Sequence, residues 1–110
     1  MFHMHTSFDL AGDACISQFR HALDDFSSLM LSKDLLVKTG PVLERCKHPI
    51  MDTDVQRAHE YFFVMSFRDR EQCDAAVEHI QKVAKDSDPV HRAVYANIVD
   101  PVFSCWLDKD

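Results

Sequence analysis

Hydrophobic and polar residues alternate over the first ten positions of the chain. Phe2, Met4, Thr6, Phe8 and Leu10 fall on one side, with His3, His5, Ser7 and Asp9 on the other. This two-residue period predicts a strand with one apolar and one polar face. Gly12-Asp13 then offers a turn and a capping side chain, after which Ile16, Phe19, Leu23, Phe26 and Met30 recur at spacings of three and four. That spacing predicts an amphipathic helix of about four turns lying on a core. Its outer side carries Ser17, Arg20, Asp24 and Ser27, and Ser32-Lys33-Asp34 closes it.

Leu35 to Thr39 suits a short strand, ended by Gly40-Pro41. Proline has no ladder donor, so a continuation through Val42-Leu43 is expected as an edge or bulge. Arg45 to Arg57 lacks periodicity and carries turn chemistry at His48-Pro49 and Asp52-Thr53-Asp54, which predicts one long loop. Glu60 to Phe67 is the strongest strand, with Tyr61, Phe63, Met65 and Phe67 alternating with Phe62, Val64 and Ser66. Both of its faces are largely apolar, so both need cover. Asp69 with Gln72 resembles a capping box ahead of a second helical stripe, Cys73, Val77, Ile80 and Ala84, ending near Lys85-Asp86. Asp88-Pro89 opens a short third helix with Val90, Ala93 and Val94. A last strand is expected after Pro101, where Val102, Ser104 and Trp106 alternate with Phe103, Cys105 and Leu107.

This order is the β-α-β-β-α-β pattern of a ferredoxin-like α+β protomer, a four-stranded antiparallel sheet with helices on one face. The uncovered sheet face would be too apolar for water, so a second copy is expected over it with C2 symmetry. At 110 residues the chain is one domain, 1–110, with a single core. Twelve basic residues against eighteen acidic ones leave a net charge of −6, and the basic residues do not cluster. Nucleic acid and anionic membrane are therefore not expected as partners. Apolar runs such as Tyr61 to Met65 fall far short of the roughly twenty residues of a membrane span. No secretory signal pattern is visible at the N-terminus, so a cytoplasmic location is expected. Cys15, Cys46, Cys73 and Cys105 form no C-x-x-C pair and read as reduced, mostly buried thiols. Two glycines, Gly12 and Gly40, leave no room for a P-loop or a Rossmann fingerprint.

The layout resembles the stress-responsive A/B barrel domain family of the dimeric α+β barrel superfamily. The resemblance rests on the histidine-bearing first strand, the strand Tyr61 to Phe67 followed by a helix, the segment Asp88-Pro89-Val90-His91, and a closing strand ending in Asp108. It implies a homodimeric barrel that binds a small molecule in its cavity and acts in stress response. Family members commonly carry His-Pro-x-His before the third helix; here Asp88 stands at the first histidine and His91 at the second. The counterpart of His91 is a general base in a cyclase of the family, so the resemblance also implies an alternative function: a cofactor-free cyclase or lyase acting on a polyketide-like carbonyl compound.

His91 is accordingly the catalytic candidate, since a neutral imidazole exchanges protons near neutral pH. Its local alternative is a hydrogen bond to Asp88. His3 and His5 share a strand face about 6.5 Å apart, a spacing that suits a ligand, or one metal if a third group joined them. The sequence shows no third group, and neither metal nor cofactor is expected. Tyr61 and Trp106 are candidates to line a ligand cavity, each with one polar handle, or else to be core aromatics. His48 and His59 flank the long loop, and Arg45 beside it is a candidate for a small anion. Whether the chain is an enzyme stays open, because no complete catalytic constellation can be read from spacing.

Overall fold

The computed structural model describes residues 1–85 and 89–110, with the side chains of 83–88 left aside. Its elements are β1 (Phe2–Leu10), α1 (Ile16–Ser32), β2 (Lys38–Thr39), β3 (Leu43–Glu44), β4 (Tyr61–Phe67), α2 (Arg70–Lys85), α3 (Pro89–Tyr95) and β5 (Ile98–Leu107). The strands form one antiparallel sheet in the order β2-β4-β1-β5, with β3 also pairing β4. This is a ferredoxin-like α+β fold, with five strands rather than four because the expected second strand is split. Proline causes the split. Val37 N and Gly40 N donate to Ser66 O and Val64 O, Pro41 interrupts, and Arg45 N resumes with a bond to Glu60 O.

β1 is the central strand, paired along its length with β4 on one side and β5 on the other. Its even-numbered residues face the helices. Phe8 packs against Phe19 of α1 at 4.6 Å and against Phe63 of β4 at 5.7 Å, and both Phe8 and Phe19 are fully buried. These rings, with Phe26, Met30, Met65 and Phe67, form the core.

Three boundaries differ from the sequence reading, the first being that β2 begins at Lys38 rather than Leu35, whose N–H still bonds back to Met30 O. Helix α1 begins one residue after Cys15, whose extended backbone makes it the N-cap, so Asp13 does not cap the helix. Strand β5 begins at Ile98, before Pro101 rather than after it. The strand accommodates the proline through a bulge, because the register with β1 shifts between Ser7 and Asp9 and Asp100 takes a left-handed φ of 51°. An edge strand tolerates this, since the missing donor costs no ladder bond.

The thiols also differ from expectation. Cys73 is buried, but Cys15, Cys46 and Cys105 are exposed. On α2, Cys73 and Ala76 are buried whereas Val77 is half exposed, so the apolar stripe is covered on one edge only. The expected capping pair is present: Gln72 N donates to Asp69 Oδ1 at 2.8 Å and Arg68 N to Gln72 Oε1 at 2.7 Å. The expected cap at Asp88, the end of α2 at Asp86 and the packing of Ala84 lie outside the described residues.

Two substitutions test this core and cap. Asp69→Ala is expected to lower stability by about 1 kcal/mol through loss of the α2 cap. Phe19→Ala is expected to lower it by roughly 3–5 kcal/mol through loss of the central ring. Urea unfolding followed by circular dichroism measures both, and equal small losses would show that Phe19 is not the keystone.

Candidate functional site

The period-two pattern of the strands sorts the candidate residues onto two sides of the sheet. On the helix side lies an apolar cavity of about 330 Å³. Its walls include Met4 and Thr6 of β1, Phe63 and Met65 of β4, Phe26 of α1, Ile80 of α2 and Tyr95 of α3. Val77, Tyr95 and Phe103 also line it, and each keeps 46% of its surface exposed, so these three frame its mouth. The half-covered stripe of α2 is what leaves the space open.

Thr6 is the polar point of this cavity wall on β1. It is 1% exposed, and among the described residues its Oγ1 has no hydrogen-bond partner. A buried hydroxyl left in that state costs about 1–3 kcal/mol, which a ligand atom of the right polarity would recover. Tyr95 brings a second hydroxyl, and desolvation raises its pKa, keeping the phenol neutral and able to donate or accept. His91 sits behind this wall on α3. Its ring lies 4.8 Å from that of Tyr95 and 5.8 Å from that of Phe26, both of which line the cavity.

The remaining candidates divide between the two faces. Tyr61 points to the helix side and stacks on Phe8 at 5.6 Å. Burial raises its pKa, with Glu60 and Glu44 adding to the effect. His3, His5 and Trp106 come together on the open face: the ring of His5 lies 5.3 Å from Phe62 and 5.9 Å from Trp106. The sheet therefore stands between these histidines and His91, and a strand-one histidine cannot assist a base on α3. Both ring nitrogens of His3 are already engaged, Nδ1 with Ser66 Oγ at 2.7 Å and Nε2 with Asp108 Oδ1 at 2.8 Å. Among the described residues no group of three histidine, cysteine or acidic side chains is placed to hold a metal.

The long loop is folded on its own charges. The Arg45 guanidinium donates to both carboxylate oxygens of Asp52, at 2.5 and 2.6 Å, and to the carbonyls of Asp54 and Arg57. Four of its five N–H donors are spent inside the loop, which makes Arg45 a clasp of the loop rather than an open anion site. Arg57 in turn binds Asp54, whose pKa falls from 3.8 to about 2 through this bond and the backbone amides of Arg57 and Gln56. His59 holds the carbonyl of Asp100, tying the loop to the β5 bulge. His48 caps its own turn, accepting from the amides of Ile50 and Met51.

Thr6, Ser66 and Asp108 were not singled out by sequence as site residues. Thr6 left one signal, a lone hydroxyl on the apolar side of β1. Ser66 and Asp108 left none, because their partner lies more than sixty residues away.

Solved structures share this architecture along the whole chain. SnoaB of Streptomyces nogalater, described as a cofactor-independent oxygenase, matches with a TM-score of 0.66 at 10% identity, covering 99% of this chain and 93% of that one. A dimeric ferredoxin-like protein from Jannaschia matches with a TM-score of 0.61 at 12% identity, covering 97% and 98%. A DABB family protein with a ferredoxin-like fold, from Mesorhizobium loti, matches with a TM-score of 0.60 at 11% identity, covering 99% and 97%. At such identities the likeness is one of fold. No protein-family model matches the chain, and no curated protein matches it by sequence.

The loop has a definite pH response. Asp54 is more acidic in the folded protein than in an unfolded chain, so its contribution is complete above the ordinary carboxylate range and is lost as pH falls towards about 2. Asp52, lowered by Arg45, acts in the same direction. Hydrogen-exchange protection factors across residues 45–57, taken relative to the intrinsic rate at each pH, should therefore fall on acidification through that window while those of β1 hold. Arg45→Ala should produce the same loosening at neutral pH. Unchanged loop protection in that variant would show that the fork does not hold the loop.

Proposed function

We propose that the chain works as a homodimeric α+β barrel protein of the stress-responsive type, in the cytoplasm. Each protomer binds a small apolar molecule bearing one polar group. The observation that carries the binding reading is the Thr6 hydroxyl, buried and without a partner among the described residues, in a cavity of about 330 Å³. That volume lies within the range of small-molecule sites, and its apolar wall with few polar points is their usual chemistry. Planar aromatic or polyketide-like compounds fit this description.

The homodimer reading is supported by the open face. Trp106, Leu43 and Val102 stand there 58%, 51% and 42% exposed, flanking the partly buried Phe62 and Val64. A contiguous apolar surface of this kind is unusual on a monomer. The Jannaschia protein of the same fold is described as dimeric.

A second reading, catalysis without a cofactor, is favoured by the packing of His91 against Phe26 and Tyr95 of the cavity wall. There His91 would take a proton from an enolisable carbonyl compound, directly or through the Tyr95 hydroxyl. The description of SnoaB as a cofactor-independent oxygenase is compatible with such chemistry in this fold.

Native mass spectrometry at near-neutral pH is expected to give a dimer of about 25 kDa; a clean monomer would remove the barrel. A thermal-shift screen of planar aromatic and polyketide-like compounds is expected to yield hits that stabilise the protein. Thr6→Val keeps the shape of the wall and removes the hydroxyl, so it should preserve folding while weakening a hit by about tenfold, roughly 1.4 kcal/mol. Equal affinity in the variant would show that Thr6 is not the anchor. His91→Ala separates the two readings. Loss of turnover on a bound carbonyl compound with binding intact would establish catalysis, and unchanged chemistry would leave binding alone.

A further inference from the structure

The open face carries a second constellation, assembled from three distant parts of the chain. Register places Lys38, Ser66, His3 and Trp106 in one row across β2, β4, β1 and β5, all on the same face. Within that row Ser66 Oγ lies 2.7 Å from His3 Nδ1, and His3 Nε2 lies 2.8 Å from Asp108 Oδ1. Asp108 is an ionised acceptor, held well below the ordinary carboxylate range by the Met1 ammonium and by His3. An ionised carboxylate can only accept, so Nε2 carries the imidazole proton. In the neutral imidazole Nδ1 is then the unprotonated nitrogen and accepts from the Ser66 hydroxyl. That is the tautomer a general base needs, and the order of groups is nucleophile, base and orienting acid.

A pocket of about 310 Å³ lies beside the row. Ser66 and His3 line it together with Lys38, Leu43, Phe62 and Val64. Its wall is apolar beyond the reacting groups, and Lys38 brings positive charge to the same space. Ser66 is only 3% exposed, so its oxygen is reached through this pocket and by small groups.

We propose that Ser66, His3 and Asp108 form a nucleophilic acyl-transfer site that accepts small esters with an apolar acyl group. Ser66 Oγ attacks the ester carbonyl as its proton passes to His3 Nδ1. The Oγ–C bond forms, and the developing oxyanion is stabilised by the charge of Lys38. The carbon–oxygen bond to the alcohol then breaks, and His3 returns the proton to the departing alcohol. Water, deprotonated by His3, attacks the acyl-Ser66 ester, and the Ser66 oxygen leaves with that proton, giving the acid and the free enzyme. Asp108 is a positioning residue throughout, fixing the tautomer and steadying the imidazolium. This site is separate from the helix-side cavity, with the sheet between them.

The test is covalent. Diisopropyl fluorophosphate is chosen because it is small, and labelling is followed on the protein both as isolated and diluted to monomer, since the second protomer proposed above covers this face and absence of an adduct in both forms rules the site out. Reaction forms an Oγ–P bond and breaks the P–F bond, fluoride leaving and His3 taking the proton. Intact-mass and peptide mass spectrometry of the folded wild-type protein should show a single adduct on Ser66. Ser66→Ala should show none. His3→Gln should slow labelling by at least about 100-fold, in line with the loss of a general base. Asp108→Asn, at an exposed position, should keep the circular dichroism spectrum and slow labelling with a changed pH profile, which a purely structural role would not do. p-Nitrophenyl acetate should give a burst of nitrophenolate that requires Ser66. No adduct on the folded wild-type protein, an adduct at another residue, or labelling of Ser66 at the same rate in His3→Gln would each overturn the assignment.

Discussion

The pairing of β1 between β4 and β5 is the constraint on which the rest of the molecule depends. Side chains along a strand alternate between faces, and a slip of one residue would exchange them all. With Phe2 opposite Phe67 and Phe8 opposite Tyr61, the even residues of β1 meet the helices. The odd residues meet the open side. Thr6 enters the apolar cavity, and His3 is set directly across from Ser66, by the same geometrical fact. The register is held by Phe8, which cannot leave its contacts with Phe19 and Phe63 without exposing a fully buried ring.

Core packing explains why the helix side is not solid. Helix α1 presents a broad apolar stripe with Phe19, Phe26 and Met30, broken only by Ser27, which was expected on the outer side but is buried against Thr39 at 2.8 Å. Helix α2 offers smaller groups, Cys73 and Ala76, and leaves Val77 half exposed. Small residues over large strand side chains cannot fill the intervening space, so a cavity opens below α2 and beside α3. A filled core would have been more stable. The Thr6 hydroxyl, without a partner among the described residues, adds a further cost at the same place, and such costs concentrate where a ligand recovers them.

The open face solves a different problem. It carries too much apolar surface for a solvated sheet, yet it also contains a hydrogen-bonded polar row. Ser66, His3 and Asp108 satisfy one another. Proteins of this fold include a cofactor-independent oxygenase and a dimeric protein, and identities of 10–12% give no passage from their sites to this one. Function here has to be argued from residues on each face.

Much of the fold was legible in the chain because it is written in local periodicity. The alternation of β1, the three-and-four spacing of α1, the double-sided β4 and the Asp69–Gln72 cap each need only neighbouring residues, and the ferredoxin-like order follows from them. Local signals failed where several neighbours could serve the same role, or where a distant strand chose the outcome. Cys15 caps α1 in place of Asp13. Pro101 lies inside β5 because a bulge on an edge strand absorbs it, and Arg45 is satisfied by Asp52 instead of an anion. The candidate sites were less legible still. His3, His5, Tyr61 and Trp106 were visible as residues, but spacing could not tell that Tyr61 faces away from the other three. The sequence by itself determined which residues alternate and which recur on one helix face, since those periods are properties of the backbone. Only the tertiary structure decided that Thr6 is buried with no partner among the described residues and that Ser66, His3 and Asp108 meet, because hydrogen bonds across a sheet depend on register and not on distance along the chain.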